Sequence, residues 1–471
     1  MLCMLWIFGL LQTRVTQINM TFVYKIRIDH SLCLSDHAPV RSREKLIVDK
    51  GCSSEEFFKS LHASRQRQSI SRIKMSDGSW TSTKLQLSHG CVQHYATLFV
   101  VPASLSSLQS CARFQFLEVV SSIMDSDEVD ALEQLFTQDE LYHALRALGK
   151  WKAPGWDGLT AKFFHAFWGE LKDVSLFMIN SAWQEQKLPS LWKHGLLRLL
   201  PKKQLAESFD DWRPITLMPV IYKLVTKLLV LRVRDILHRG LHPRQYVFIP
   251  RRHIINNIAN ASIAIEYAKY TSQDVILLQV DIAKAFDSVH WDFISQIMSR
   301  LNFGPKWLNA IYWLYSDAST RTIIVDGLSD TWGLGQSVRQ GCPLSALFCA
   351  ISTHPLFLYI DKMLDAGLLH GLEIAGKPSF LAQAYADDSF FMPKNHQEDL
   401  RTLMKILSDF GLAAGLTINI KKSTLLPLKS CDWHSLFMAW TVIISSGCGT
   451  SSWLPDWLVY YLKATNGMGD Y

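Results

Sequence analysis

The chain has 471 residues, 48% of them apolar and 11% aromatic, with 48 basic against 42 acidic residues for a net charge of +6. That much apolar material supplies a sizeable core, which excludes a disordered tail or a low-complexity scaffold. The charge balance hints at an anionic partner but is too small to identify one, and the nine cysteines are scattered, odd in number and free of CxxC pairs or zinc-type Cys/His spacing, as suits a reducing compartment.

The first eleven residues are apolar, yet they lack a basic flank and a small-residue cleavage site, and they are too short to span a bilayer. They read as a buried strand or an accidental start. Residues 1 to about 110 mix short apolar runs with Ser- and Arg-rich ones such as Ala63–Arg72, show little sustained periodicity, and are expected to fold poorly alone. From about 130 to 425 the pattern is dense. Its apolar periodicity predicts helices over 138–149, 159–186, 219–239, 254–270, 291–302, 345–366 and 396–413, with β-rich runs between them in one large α+β unit. Basic residues Lys203, Arg213, Lys223, Lys227, Arg232, Arg234, Arg239, Arg244 and Arg251 recur among few acids, as a phosphate-contacting surface would require. The stretch from Ser430 is rich in Trp, Gly and Ser, with 445–452 a loop.

Two places carry chemistry. The run Val275–Ile282 has the continuous apolar character of a buried strand, yet holds Asp281 near its end, just before a turn and the helical pattern that begins at Trp291. Further on, Phe380–Tyr385 and Ser389–Met392 are strand-like, and the Ala-Asp-Asp between them suits the tight turn of a β-hairpin. An isolated Asp-Asp is ordinarily a polar turn. Here a second acid stands in a separate apolar strand, 106 positions before Asp387. Brought together, Asp281, Asp387 and Asp388 would repel one another and call for cations, and hard oxygen ligands favour Mg²⁺. Two such ions are the standard device for in-line nucleotidyl transfer.

Tyr385-Ala-Asp-Asp388, Val280-Asp-Ile-Ala-Lys-Ala-Phe-Asp-Ser-Val289 and Arg339-Gln-Gly-Cys-Pro-Leu-Ser345 together resemble the central motifs of reverse transcriptases, in order and in spacing. Gly149-Lys-Trp-Lys-Ala-Pro-Gly-Trp-Asp-Gly-Leu159 and Asp211-Trp-Arg-Pro-Ile-Thr-Leu217 resemble the finger-region motifs of the LINE-type, non-LTR retrotransposon branch. A group II intron maturase shares the Tyr-Ala-Asp-Asp box, but Lys284–Val289 and Asp211–Pro214 favour the LINE branch. The resemblance covers roughly residues 45–425. It implies a right-hand polymerase with fingers and palm, the palm an antiparallel sheet backed by helices, and the thumb truncated or divergent.

The implied activity is RNA-directed DNA synthesis, with an RNA template, a DNA primer and deoxynucleoside triphosphates as partners and two Mg²⁺ ions, or Mn²⁺, as cofactors. Asp281, Asp387 and Asp388 match the metal-binding catalytic carboxylates, with Asp387 the more direct ligand of its pair. Phe286 matches the position that crowds a ribose 2′-hydroxyl, Arg213 one that holds the triphosphate, and Gln340 and Gly341 the segment beside the incoming nucleotide. Lys422, or its neighbour Lys421, matches the lysine proposed to protonate the leaving pyrophosphate.

Ser35-Asp-His-Ala-Pro-Val40 resembles the last motif of an apurinic-endonuclease-like domain, in which the His is catalytic. Asp36 and His37 have only about forty residues around them for such a domain, so 1–44 is expected to be an inactive remnant. By the same resemblance 45–125 is a spacer or N-terminal extension, 126–425 the fingers and palm, and 426–471 a divergent tail. The competing expectation is a catalytically inactive nucleic-acid-binding relic. Both predict salt-sensitive binding; only the enzyme predicts Mg²⁺-dependent incorporation. The expected location is intracellular, in cytoplasm or nucleus, with no membrane and no secretion.

Overall fold

A computed structural model describes residues 70–428, apart from 71, 76–77, 100–105, 204, 247, 284, 325–326, 375–376, 381, 386–387 and 420–421. The expectations placed on Asp36, His37, Asp387, Lys421 and the tail from 429 lie outside the described residues.

Local sequence sets the helix starts. Thr83 and Ser106 each accept from the backbone amide three residues on while a Gln side chain reaches back to the cap, opening helices Lys84–Leu98 and Ser107–Leu117. Both fall in the zone where apolar periodicity is weak, and the cap residues were the signal that could have found them. Of the predicted helices, 254–270 appears as Ile254–Tyr270, 345–366 as Ser345–Asp365 and 396–413 as Gln397–Ala414. The single helix expected over 159–186 is two, Ala161–Ala166 and Trp168–Glu185, because Phe167 leaves helical geometry at φ −109° and ψ 29°. Helix Pro305–Tyr315, with its Pro at the first turn, went unrecognised.

The first sheet forms the finger side. Strands β1 (Gly195–Pro201) and β2 (Trp212–Leu217) pair antiparallel, with Arg213 opposite Leu200. Alternation puts Leu197, Leu199 and Trp212 on a buried face, where Tyr95 of helix Lys84–Leu98 and its C-cap residue Phe99 complete a separate small core. The N-terminal zone thus contributes a wall to this sheet.

The second sheet is built on β3 (Ile276–Ala283), the predicted apolar strand. The finger sheet continues meanwhile with β4 (Ser319–Ile324), parallel to β1, and the two-residue strands β5 (Gly327–Leu328) and β6 (Trp332–Gly333) antiparallel to β4. A small hairpin follows, β7 (Leu372–Ile374) on β8 (Lys377–Phe380). Then β9 (Ala382–Tyr385) pairs β10 (Asp388–Phe391), which lies along one edge of β3. Strands β11 (Thr417–Ile418) and β12 (Thr424–Pro427) share the other edge. All of these palm pairings are antiparallel, so the α+β fold with an antiparallel sheet on helices is the one the motifs imply.

Period-two alternation explains where Asp281 ends up. Leu278, Val280 and Ile282 face the main core with Phe293, Ile297, Phe348 and Phe410. On the other face Leu277 is covered by Ala264, Ile265 and Ala268 of helix Ile254–Tyr270. Asp281 shares that second face four residues on, and its side chain is 18% exposed. Helix Ser107–Leu117 is clamped to this palm by Arg113, which pairs with Asp292 at 2.6 Å and donates to Ala413 O at 3.0 Å and to His290 Nδ1 at 3.0 Å.

Candidate active site

Asp388 opens β10 directly opposite Asp281. Asp281 donates its N–H to Ser423 Oγ at 3.2 Å and accepts from Asn419 N at 2.8 Å, both on the far edge of β3. A strand residue sends both backbone groups to one side, so toward β10 this is the non-hydrogen-bonded type of pair, the closer of the two antiparallel spacings at about 4.5 Å between Cα atoms. The register thus sets two acidic residues opposite each other on adjacent strands. Asp388, expected in the hairpin turn, belongs to the strand, opposite Tyr385.

The opposite edge of β3 is irregular. β11 pairs Ile418 with Ile282, and β12 pairs Thr424 with Gln279, so five residues stand across from two. From this bulge Lys422, 67% exposed, brings its Nζ to 3.9 Å from Asp281 Oδ2. Asn419 O is the hub of the loop, accepting from the amides of Lys422 and Ser423 at 3.0 Å each and from Ser423 Oγ at 2.9 Å. Neither Asn419 nor Ser423 was singled out from sequence, although both stand within three residues of Lys422.

On the finger side the structure joins two motifs distant in sequence. Thr216 of β2 donates its N–H to Gln340 O at 2.7 Å. Gly341, at φ +113°, lies so close that a Cβ would stand 2.4 Å from Thr216 O. Gly155 in the earlier loop packs as tightly on the end of the same strand, where a Cβ would meet Pro219 N at 2.4 Å. Arg213 sits three residues before Thr216, exposed. Phe286 falls on the short helix Ala285–Ser288 directly after β3.

Arg339, which opens that motif but was given no role from sequence, anchors the Gln340–Gly341 segment. It is 1% exposed, donates to Lys193 O at 2.8 Å, and lies between the rings of Tyr222 and Tyr315 at 5.5 and 5.7 Å. Among the described residues its Nε and Nη2 find no hydrogen-bond acceptor, and the two aromatic faces lie against that part of its charge.

The basic run from 203 to 251 does not form the continuous phosphate-facing surface that its composition suggested. Arg232 forks onto Glu140 at 2.6 Å and onto the carbonyls of Leu132, Gln134 and Leu135 at a helix end. Arg239 pairs with Glu128, Arg244 with Asp361, and Lys203 with Asp211 at 2.9 Å. Lys223 is largely buried, donates to Ala153 O at 3.0 Å, and is pushed down to about 8 by burial, against the pull of Asp157. Helix Val220–Gly240 is a core helix, and its cations serve neighbouring chain segments. Arg213 has no ion pair among the described residues.

Among the described residues no group of three His, Cys, Asp or Glu side chains could hold a metal; Asp281 and Asp388 supply two acids, and Asp387 falls outside that set. No described helix is long and apolar enough to cross a membrane. Cys91, Cys111, Cys342 and Cys349 are free thiols, with burial pushing Cys91 up to about 12.

A family model for reverse transcriptase (RNA-dependent DNA polymerase) matches residues 200–435. The chain is 29% identical over 385 residues to the transposon TX1 uncharacterized 149 kDa protein of Xenopus laevis, across 82% of this chain and 29% of that one. It is 27% identical over 283 residues to the retrovirus-related Pol polyprotein from type-1 retrotransposable element R2 of Popillia japonica, across 59% of this chain and 38% of that one. The chain therefore spans well under half the length of these relatives. An apo telomerase structure from Candida tropicalis, truncated from its C-terminal domain, is similar over 59% of each chain at 15% identity and a TM-score of 0.38.

Proposed function

Because this chain belongs to the reverse transcriptase (RNA-dependent DNA polymerase) family, on its non-LTR retrotransposon branch, we propose that it extends a DNA primer with deoxynucleotides on an RNA template. The observation that carries this reading is the pairing of Asp388 with Asp281 across two strands, with Lys422 reaching the same carboxylate from the other edge.

Asp281, Asp387 and Asp388 would hold two Mg²⁺ ions, or Mn²⁺ in their place. The fit rests on hard carboxylate oxygens and on a register that sets two acids opposite each other, an arrangement that a cation relieves. Bound there, such ions supply a lowered pKa for the primer hydroxyl and neutralisation of charge building on the pyrophosphate.

The remaining work belongs to the chain. Arg213 offers a planar guanidinium to the triphosphate from β2. The Gln340–Gly341 segment, held against Thr216, lines the place of the incoming nucleotide, and Phe286 crowds a ribose 2′-hydroxyl. The primer 3′-oxygen bonds to the α-phosphorus as the bond from that phosphorus to the bridging oxygen breaks; the hydroxyl proton is released. Lys422 holds a proton at Nζ and gives it to the departing pyrophosphate. In this reading 126–425 are the fingers and palm, preceded by an extension at 45–125, with 1–44 an endonuclease-like remnant and 426–471 a divergent tail, in an intracellular protein.

The test is primer extension on an RNA template in Mg²⁺ with purified protein, beside Asp281→Asn and Asp387→Asn. The wild type is expected to incorporate deoxynucleotides at least about a hundredfold faster than either variant. Equal incorporation by all three, with duplex still bound, would reject the enzyme.

A further inference from the structure

The bulge beside Asp281 has an unusual closure. Where a regular ladder would offer a backbone carbonyl to the Asp281 amide, the acceptor is a side chain, Ser423 Oγ at 3.2 Å. The same hydroxyl passes its own proton on to Asn419 O at 2.9 Å, and Asn419 returns its amide to Asp281 O at 2.8 Å. Asp281 and the bulge are therefore closed in a ring through the hydroxyl of Ser423, a residue 9% exposed. β11 and β12 run in registers three residues apart on either side of it. Bulges of this kind re-aim side chains next to active sites.

We propose that Ser423 is a positioning residue for the transfer reaction: its hydroxyl fixes the bulge that presents Lys422 Nζ to the Asp281 carboxylate. The inference rests on the polymerase reading for its consequence in catalysis, but not for the geometry. A serine suits this place because its oxygen, carried on Cβ two bonds from Cα, accepts from the Asp281 amide without drawing the Ser423 backbone into the ladder. Ser423 and Lys422 are thereby held by Asn419 O rather than by the strand, with Lys422 directed toward the acid. Remove the oxygen and the Asp281 amide loses its acceptor in a largely buried site, a loss that the loop relieves by moving and taking Lys422 with it.

Full-length Ser423→Ala, Ser423→Thr, Asp281→Asn and Lys422→Ala proteins test this with two readouts. The first is the acetylation rate of Lys422 by sulfo-N-hydroxysuccinimide acetate, followed by mass spectrometry. An ammonium held by Asp281 reacts slowly, so Ser423→Ala is expected to label several-fold faster, at the rate seen in Asp281→Asn, while Ser423→Thr labels like the wild type. The second is single-nucleotide incorporation at one pH, with kcat and KM measured separately. Ser423→Ala is expected to lose about tenfold in kcat with KM for the nucleotide unchanged, as Lys422→Ala does; Ser423→Thr restores kcat.

Wild-type labelling and a wild-type kcat in Ser423→Ala overturn the proposal. If Ser423→Ala does not fold, Ser423→Cys, with its weaker acceptor, decides by the same two measurements. A wild type that incorporates nothing rejects the polymerase reading instead, and the labelling rates still decide the role of the serine.

Discussion

Asp281 and Asp388 stand directly opposite each other in β3 and β10, and Asp281 turns both of its backbone groups toward the other edge. The fold thus holds two acids at the closer antiparallel spacing without backbone bonds between them. In the proposed reading two ionised acids in this register repel each other, an effect that Lys422, 3.9 Å from Asp281, offsets in part and a bound divalent cation offsets more fully. Opposed like charges in a sheet are worth up to about 1 kcal/mol, so Asp388→Asn is expected to raise the melting temperature in EDTA by about 1–3 °C. Mg²⁺ should then raise the wild-type melting temperature more than that of the variant. Scanning calorimetry checks this; a variant less stable in EDTA and equally responsive to Mg²⁺ contradicts a shared cation site.

Gly341 offers a test on the finger side. A Cβ there would stand 2.4 Å from the Thr216 carbonyl, and φ is +113°. Gly341→Ala should destabilise the protein by roughly 2–3 kcal/mol and raise KM for the nucleotide by displacing Gln340. Gly367, also at positive φ but with open space around it, supplies the control: its Ala variant should cost about 1 kcal/mol and leave KM alone. Urea unfolding and nucleotide titrations of both variants separate crowding from strain, and equal effects at both sites would show that the contact with Thr216 is unimportant.

The basic run divides into two classes that salt can tell apart. Arg213→Ala should weaken nucleic-acid binding and reduce the slope of log affinity against log salt by about 1, as for the loss of one phosphate contact. Arg232→Ala should leave that slope unchanged and instead cost about 3–5 kcal/mol of folding stability, since it strands Glu140 and three helix-end carbonyls. Arg232→Lys should recover little, because an ammonium cannot reproduce the fork. A salt slope that falls for Arg232→Ala would return that residue to the binding surface.

Lys223 makes stability depend on pH. Burial holds it at about 8, below the ordinary lysine value of 10.5. Between these values the unfolded chain binds the proton that the folded chain has released, so this residue's contribution to stability rises with pH across the window and its full cost is felt below about 8. At about 1.4 kcal/mol for each tenfold change in proton affinity, the cost is on the order of 3 kcal/mol. The stability of Lys223→Met relative to wild type should therefore be greatest near pH 7 and shrink by pH 10. Denaturant titrations at the two pH values measure it; a difference that stays constant would mean that Lys223 is charged in the folded state throughout.

Much of the palm was legible before any coordinates. Val275–Ile282 announces itself because a strand covered on both faces needs continuous apolar residues, and Asp281 stands out against that background. The helices 254–270, 345–365 and 397–414 follow from periodicity, which depends only on local geometry. The Lys84–Leu98 and Ser107–Leu117 helices did not, since they are stabilised by capping boxes and by surfaces that other segments supply.

Tertiary structure alone decided the rest. The residue facing Asp281 across 107 positions, the three-residue offset that aims Lys422, and the capture of Arg232 by a helix end are all set by packing between distant segments. Composition can place charges in a sequence, but it cannot say which of them meet. Strand register, which one slipped residue would invert, is fixed by the shared core beneath β3 and β10, and with it the meaning of the acids above.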